Sequence, residues 1–238
     1  MEKISFRYED SHLPALKEIS FEVEKGEKIA VVGPTGAGKT TLFYLLCGLY
    51  RPVSGVIKFN DLLISSENRN HKKLRRASGL VMQFPEKQIF ESTIYDEIAF
   101  GPRNFEMTKI EIDKRVNESM QLVGLDFEKF AKKSPLKISM GEKRKVAIAS
   151  ILALNPEIIL FDEPTSALDY NGFKEIENCI NTLHENRITI FTITHDIELL
   201  ESNFDRVLGF KNGDLLIDTK TSELFENKKV LKELDLET

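Results

Sequence analysis

The segment GPTGAGKT, residues 33–40, constrains the fold more than any other part of the sequence. It follows the run KIAVV at 28–32, whose apolar character is typical of a buried parallel strand, and it precedes an apolar helical pattern over 41–47. Between a strand and a helix, such glycines let the backbone form a nest of N–H groups beside the positive end of the helix. The segment therefore predicts an α/β sheet with a phosphate-binding loop.

The last residues of the loop add charge and a metal ligand. The segment matches the pattern G-x-x-x-x-G-K-[ST], in which the lysine reaches the β- and γ-phosphates of a nucleotide and the hydroxyl ligates Mg²⁺. Lys39 and Thr40 hold these positions. The strand before the motif and the helix after it supply the context that the pattern requires.

A second apolar run, IILF at 158–161, is followed directly by two acids, Asp162 and Glu163. In open α/β sheets, ligands bind at the carboxyl ends of the strands, so both acids are expected near the phosphate loop. Asp162 suits the Mg²⁺ shell, usually through water, and Glu163 suits a water near the γ-phosphate, as general base or polariser. A solvated strand end is the alternative, and the phosphate loop makes it the weaker one.

Composition narrows the class of protein. The chain has 238 residues, 41 % hydrophobic and 30 % charged, which predicts one large globular domain or a core with an inserted subdomain. A net charge of −5 disfavours a broad electrostatic grip on nucleic acid, so no such partner is expected. No apolar run approaches the roughly 18 residues of a membrane span. Without an apolar signal core at its N-terminus, the chain is expected in the cytosol.

The pattern of the remaining chain predicts a sheet core interrupted by a helical insert. Period-two alternation and short apolar runs predict strands at 4–8, 19–23, 28–32, 54–59, 158–161 and 188–194, with a closing hairpin near 207–217. Helical spacing predicts helices at 41–47, after a capping box of Thr108 and Glu111, at 141–154, around Phe173, Ile176, Ile180 and Leu183, and in a charged tail over 222–236. Cys47 and Cys179 fall in helical patterns and are read as buried free thiols.

With DEPTSALD at 162–169 added to the phosphate loop, the sequence resembles the ATPase subunits of ABC transporters. The resemblance covers nearly the whole chain and includes ISMGE at 138–142, the signature segment. It implies the ABC ATPase fold: a P-loop NTPase (RecA-like) core with an N-terminal antiparallel β subdomain and an inserted α-helical subdomain. The implied ATPase domain is 1–225, with 1–84 and 153–225 as nucleotide-binding core, 85–152 as helical signature subdomain, and 226–238 as a short C-terminal helical tail.

The resemblance also implies roles for single residues, with ATP and Mg²⁺ as cofactors. Tyr8 would stack on adenine, Gln83 would link Mg²⁺ and the attacking water to a membrane partner, and His195 would contact the γ-phosphate. The implied catalytic residues are Glu163, His195, Gln83 and Lys39. The implied metal-site residues are Thr40, Gln83 and Asp162. The implied ATP-binding residues are Tyr8, Gly33, Pro34, Thr35, Gly36, Ala37, Gly38, Lys39, Thr40, Thr41, Ser139, Gly141 and Asp169, of which Ser139, Gly141 and Asp169 would act across a dimer interface.

The signature segment departs from the commonest form, Leu-Ser-Gly-Gly-Gln, in a way that bears on rate. Ser139 and Glu142 keep a Ser-x-x-Glu capping-box pattern, which would present a hydroxyl and helix N–H groups to an anion. Met140 replaces the first glycine, and a side chain there would crowd the ATP held by a facing chain. We therefore expect the site that borrows this segment to turn over more slowly than one with two glycines.

A narrower resemblance concerns VMQFPEKQIF at 81–90 and IAFGPRNF at 98–105. These segments look like energy-coupling-factor ATPases, the group that includes cobalt and nickel importers. The resemblance implies a second ATPase chain, the same or a sister subunit, a transmembrane coupling protein and a substrate-capture membrane protein. It further implies a peripheral place on the cytoplasmic face of the membrane and ATP-driven uptake of a vitamin or transition-metal ion. Asp96 and Glu97 either face arginines of the coupling helices or form a solvated helix end.

Three other functions compete with this interpretation. The chain could be the ATPase of another transporter class, such as an exporter, or a weakly hydrolysing regulatory partner in a heterodimer. Glu163 and His195 argue against the regulatory role, whereas Met140 favours it mildly. A soluble ATPase acting on DNA or ribosomes is disfavoured, because the sequence shows no coiled-coil insert, tandem cassette or basic surface.

Overall fold

The strands form two sheets in the computed structural model, which describes residues 1–67 and 70–236. In chain order they are β1 (Glu2–Phe6), β2 (Leu16–Ile19), β3 (Lys28–Val32), β4 (Ser54–Phe59), β5 (Leu62–Ile64), β6 (Ser78–Val81), β7 (Ile158–Asp162), β8 (Thr189–Ile193), β9 (Arg206–Lys211) and β10 (Asp214–Lys220). The larger sheet has the order β10-β9-β3-β8-β7-β6, and all its strands are parallel except β10. The smaller, antiparallel sheet has the order β2-β1-β4-β5.

Helices flank the larger sheet and fill the chain between β6 and β7. They are α1 (Lys39–Leu46), α2 (His71–Ala77), α3 (Ile94–Asn104), α4 (Lys109–Leu122), α5 (Phe127–Phe130), α6 (Met140–Leu152), α7 (Tyr170–Glu185), α8 (Ile197–Asn203), α9 (Thr221–Glu226) and α10 (Lys228–Glu233). Short 3₁₀ turns cover Pro85–Gln88 and Pro135–Lys137. The predicted α/β architecture, with an N-terminal antiparallel sheet and a helical insert, is confirmed.

Burial explains why the central strands are apolar on both faces. Every residue of β8 is buried, and β3 is buried from Ile29 to Val32, because helices and the smaller sheet cover the two sides. One core cluster packs α3, α4, α6 and α7 against β7, and another fills the space between α1 and the two sheets. This packing fixes the carboxyl ends of β3, β7 and β8 side by side, so the loops that leave them share one edge.

Two predicted elements differ from the structure. The alternation at 19–23 does not mark a strand, since β2 ends at Ile19; Phe21 instead packs against Phe191 and exchanges backbone hydrogen bonds with Met1. The predicted tail helix is two helices, α9 and α10, because the side chain of Asn227 caps a new helix by accepting from the backbone of Val230. Residues 237–238 of the predicted tail lie outside the described residues.

Cys47 and Cys179 are both buried and free, as predicted. Within the residues that the structure describes, no helix combines the length and apolar content needed to cross a bilayer.

Candidate active site

The glycine-rich loop connects β3 to α1 and encloses the side chain of Lys39. A Cβ at Gly33, where φ is +138°, would lie 2.0 Å from the carbonyl oxygen of Phe210, so only glycine fits. Lys39 is 7 % exposed, and its Nζ donates to the carbonyl oxygens of Gly33 and of Pro34, the latter at 2.9 Å. The N-cap residue Gly38 offers no side-chain hydrogen bond to α1, which leaves the first backbone N–H groups of the helix for an anion.

The rest of the loop forms an exposed tip on a fixed base. Thr35 and Gly36 are exposed, whereas Ala37 is buried and its carbonyl oxygen accepts from the backbone of Gly213 at 3.1 Å. The loop is therefore anchored on both sides by backbone of the β9–β10 hairpin, and its tip is open to a ligand.

Thr40 and Asp162 form a pair of oxygen donors at the end of the loop. The Thr40 hydroxyl donates to Asp162 Oδ2 at 3.3 Å. Burial raises the pKa of Asp162. Burial also lowers the pKa of Lys39, and the neighbouring carboxylates of Glu163 and Asp162 oppose that lowering. A half-buried carboxylate beside a hydroxyl fits Mg²⁺, which takes one or two protein oxygens and shares the phosphates of its nucleotide. Among residues 1–67 and 70–236, no group of three or more His, Cys, Asp or Glu could hold a metal by itself.

Glu163 lies at the centre of the predicted catalytic residues. Its Oε2 accepts from Gln83 Nε2 at 2.8 Å, and its Oε1 lies 3.7 Å from His195 Nε2. Glu163 has φ of +48°, a left-handed conformation, and its backbone donates to the carbonyl oxygen of Ile193 at 3.0 Å. Burial lowers the pKa of His195, with the charge of Lys39 acting in the same direction and the charges of Glu163 and Asp235 opposing it, and this favours the neutral imidazole. Strained, over-determined backbone at such a group is typical of functional sites.

Tyr8 is held against the helix that follows the phosphate loop. Its hydroxyl lies 2.8 Å from Thr41 Oγ1, and its ring meets the ring of Tyr50 edge to face, with centroids 5.7 Å apart. Tyr8 remains 38 % exposed. The ring is therefore fixed at both ends and keeps an open surface on which an aromatic base could stack.

Three predicted ligands lie outside this cluster. Ser139 caps α6 in a reciprocal capping box with Glu142, and Asp169 caps α7 by accepting from the backbone of Gly172 at 2.8 Å. Ser139 and Asp169 are exposed, and their side-chain hydrogen bonds remain within their own helices. Gly141, in the first turn of α6, is half-buried. The chain thus brings together Lys39, Thr40, Gln83, Asp162, Glu163 and His195, but not Ser139, Gly141 or Asp169.

The structure adds two residues that the motifs alone did not assign to this cluster. Ser166 Oγ accepts from Gln83 Nε2 at 3.2 Å, so it holds the amide in place beside Glu163. The charge of Asp235, which follows α10, raises the pKa of Lys39 and His195 against the larger effect of burial. Ser166 could have been suspected from its place three residues after Glu163. Asp235 could not, because only the folded tail brings it near the phosphate loop.

Comparisons with known proteins indicate the family of this chain. A family model described as ABC transporter matches residues 16–166. The energy-coupling factor transporter ATP-binding protein EcfA2 of Clostridium tetani is 40 % identical over 223 residues, which is 93 % of this chain and 77 % of that protein. The EcfA2 of Streptococcus thermophilus strain LMD-9 is 38 % identical over 241 residues, 99 % of this chain and 86 % of that protein.

Solved structures show the same fold. The structure of cbiO1 from Clostridium perfringens has a TM-score of 0.85 and 33 % identity, and the match covers 99 % of this chain and 93 % of that one. The cassette MJ0796, a dimer in a post-hydrolysis state bound to ADP and Pi, has a TM-score of 0.77 and 29 % identity, covering 92 % and 97 %. The predicted ABC ATPase fold is therefore confirmed.

The fold and the cluster around the phosphate loop define a class, the ATP-binding and ATP-hydrolysing cassettes. The family model covers more than half of the chain, and the relatives with the same function match it over almost its whole length. The chain belongs to the ABC transporter family and, within it, to the ATP-binding proteins of energy-coupling factor transporters.

Proposed function

We propose that this chain powers uptake of a vitamin or a transition-metal ion, as one of two ATPase chains beneath the membrane subunits of an importer. The printed description of cbiO1 makes that protein part of the ABC transporter complex cbiONQ, and MJ0796 was solved as a dimer. On this proposal, the partners are a second ATPase chain, a transmembrane coupling protein and a substrate-capture protein. The chain would lie peripherally on the cytoplasmic face of the membrane.

The observation that carries the proposal is that the candidate residues fall into two separate groups within one chain. Glu163, Gln83 and His195 lie together, while Ser139 is exposed at the start of α6, where its hydroxyl accepts from the backbone of Glu142 in the same helix. A second chain placed face to face would bring its Ser139 to the γ-phosphate held by the first chain. In this division, 1–84 and 153–225 bind the nucleotide, 85–152 carries the signature segment, and 226–238 forms the tail.

The proposed mechanism follows from these contacts. The phosphate loop and Lys39 hold the triphosphate, Tyr8 carries the adenine, and the facing signature segment closes the site against water. Glu163, oriented by the amide of Gln83, takes the proton of the attacking water at its carboxylate oxygen. His195, 3.7 Å from Glu163, would hydrogen-bond the γ-phosphate. ATP must favour the closed pair for its hydrolysis to open it and move the membrane subunits.

Thr40, Asp162 and the oxygen of the Gln83 amide would hold Mg²⁺. The ion supplies charge neutralisation on the β- and γ-phosphates when it is bound. The Thr40–Asp162 contact at 3.3 Å supports this assignment, because it places a hydroxyl and a carboxylate at the end of the phosphate loop.

An exposed aromatic pair supports a membrane partner beside the Gln83 loop. Phe90 and Phe100 are 64 % and 42 % exposed, and their rings meet edge to face with centroids 4.9 Å apart. Phe90 lies just after the 3₁₀ turn at Pro85–Gln88 and Phe100 lies on α3, and such an exposed apolar pair is suited to receive a helix of the coupling protein. The acids expected at this place act within the chain: Glu97 is buried and accepts from the backbone of Phe90, and Asp96 pairs with Arg103 at 2.7 Å.

Replacing Glu163 by glutamine tests the proposed function. Glu163→Gln keeps the size of the side chain and its ability to form hydrogen bonds but removes the base. ATP turnover should therefore fall about 10²- to 10⁴-fold. ATP binding should persist, and a closed dimer should accumulate on size-exclusion chromatography with ATP and Mg²⁺. Glu157→Gln, directly before β7 at the other end of the same strand, is the matched control and should behave as the unmodified chain. Near-normal turnover, or a chain that stays monomeric with ATP, would contradict the proposal.

A further inference from the structure

Arg144 connects α6 to the turn after Gln83 by a buried ion pair, and to the loop that carries Glu163 by a hydrogen bond. Arg144, on the second turn of α6, has a side chain 8 % exposed, and its Nε donates to Glu86 Oε2 at 3.3 Å. The Glu86 side chain is 6 % exposed and lies in the 3₁₀ turn just after Gln83. A terminal nitrogen of Arg144 also donates to the carbonyl oxygen of Pro164 at 3.1 Å. One guanidinium therefore contacts the residue after Glu163 and the turn after Gln83.

This arrangement fixes geometry more than it adds stability. A buried ion pair gains little over an apolar replacement of the same shape, because desolvation offsets most of the attraction. What arginine adds is a rigid, planar set of donors whose directions are fixed relative to one another. A shift of α6 must then move Pro164 and Glu86 with it or break both contacts. Those two residues adjoin the Glu163–Gln83 hydrogen bond, which is 2.8 Å long.

The same helix begins at the signature segment. Ser139 is the N-cap of α6, and Arg144 follows five residues later in the sequence, so both move with the first two turns of one rigid element. In a face-to-face pair, Ser139 contacts the nucleotide of the other chain, whereas Glu163 acts on the nucleotide of its own chain. Arg144 thus provides a route of direct contacts between the helix that Ser139 caps and the residue after Glu163.

We propose that Arg144, paired with Glu86, is a positioning residue that couples the two ATP sites of the dimer. Engagement of Ser139 by the partner's nucleotide sets the position of α6, and Arg144 transmits that position to Pro164 and to the turn after Gln83. Glu163 and Gln83 then reach their working geometry only when both sites are filled. The inference rests on the proposed face-to-face pairing of two chains, and by linkage the coupling in binding is reciprocal.

The test compares ATP dependence in variants that keep the fold. The double variant R144M/E86Q removes both charges together, which avoids leaving one of them buried and unpaired. We expect its turnover number to fall about 10- to 100-fold with little change in KM, because catalytic groups are displaced while the phosphate loop is intact. We also expect its Hill coefficient for ATP to fall to about 1, from a value above 1 in the unmodified dimer. Arg144→Lys, which keeps the charge but loses the fixed fork, should fold and lose the same coupling.

Lys145→Met is the matched control for breaking an ion pair of the same helix. Lys145 is adjacent to Arg144, and its Nζ lies 3.2 Å from Glu175 on α7, away from the loop of Glu163. We expect this variant to keep the turnover number and Hill coefficient of the unmodified chain.

Three results would overturn the coupling role: an unmodified dimer with a Hill coefficient of about 1, an R144M/E86Q variant that keeps normal cooperativity, or equal effects of R144M/E86Q and Lys145→Met. If R144M/E86Q does not fold, Arg144→Lys decides the question by the same two measurements. These results are separable from failure of the proposed function. That failure would appear in the chain without any change at Arg144, as the absence of an ATP-dependent dimer when Glu163 is replaced by glutamine.

Discussion

The phosphate loop and the signature segment both contain glycine, but their surroundings differ. At Gly33, a Cβ would lie 2.0 Å from the carbonyl oxygen of Phe210, so the chain's own packing requires glycine. At Gly141, the nearest atom to a Cβ would be Glu175 Oε2 at 3.5 Å, an ordinary contact, and φ is not left-handed. Within the described chain, nothing requires glycine at 141. Gly33 is required by the fold, whereas the space beside Gly141 is open to a molecule outside the chain.

A second comparison concerns two capping boxes of the helical insert. Thr108 with Glu111 begins α4, and Ser139 with Glu142 begins α6, each with both reciprocal hydrogen bonds. Local chemistry is therefore the same at the two helix starts. They differ in where the helix leads, since α6 carries Arg144 to the loop of Glu163. If one part of the site is complete in one chain and the other part acts on a second chain, substitutions in the two parts should have different effects.

The largest expected effect concerns Asp162, in the part of the site that is complete in one chain. Burial raises the pKa of Asp162 above its ordinary 3.8, so the folded state disfavours its carboxylate. A raised carboxyl pKa lowers stability above the unfolded pKa, and this penalty disappears as the pH falls below it. Asp162→Asn should therefore raise the Tm of the nucleotide-free chain at pH 7, by an amount that shrinks toward pH 3.8, while ATP turnover falls about 10²-fold or more.

Asp96→Asn is the control of opposite sign. Hydrogen bonds from Thr93 and Arg103 lower the pKa of Asp96, so its carboxylate stabilises the fold above its unfolded pKa. This variant should lower the Tm at pH 7 and leave the chemistry of ATP intact. Thermal unfolding and phosphate release measured on both variants give the result. An Asp162→Asn chain that is less stable than the unmodified one at pH 7 would show that the carboxylate stabilises the empty loop.

The next effect compares the two caps directly. Ser139→Ala and Thr108→Ala should each reduce the free energy of unfolding by about 1 kcal/mol, because each removes an N-cap oxygen. In a chain of this size, that lowers the Tm by about 2–4 °C. Only Ser139→Ala should also reduce ATP turnover, by about tenfold or more, since it removes a hydrogen bond to a charged group. Equal turnover in the two variants would place Ser139 outside the ATP site of the partner chain.

Local features of the fold were predictable from the sequence. The strand, loop and helix around Lys39 follow from the order of apolar and glycine residues, and both capping boxes are formed by neighbours three residues apart. The alternation at 19–23 is misleading because Phe21 packs against Phe191, a residue 170 positions away (191 − 21), without joining a ladder. The alternation of apolar and polar residues does not by itself distinguish a strand from a segment whose apolar side chain is buried without strand pairing.

Contacts between distant segments limit how much of the candidate site can be predicted from the sequence. The presence of Asp162 and Glu163 beside the phosphate loop follows from the rule for strand ends, whereas the roles of Gln83 and His195 came from the family resemblance. The Arg144–Glu86 pair joins residues 58 positions apart, and no spacing rule indicates it. For Asp96 and Glu97 the sequence left two alternatives, a surface facing arginines of the coupling helices or a solvated helix end. Glu97 fits neither, because it is buried and accepts from the backbone of Phe90.

The smallest expected effect concerns Met140, the residue of the signature segment that departs from its commonest form. Met140 is 58 % exposed at the first position of α6, so in the proposed pair its side chain would be free to meet the facing nucleotide. Met140→Gly should raise ATP turnover by a few-fold, on the order of what relieving a small steric misplacement gives. Lys109→Gly, at the first position of α4, controls for the loss of helix stability on introducing glycine. If Met140→Gly leaves turnover unchanged or lower, the methionine does not slow the reaction, and the departure from glycine is compatible with full activity.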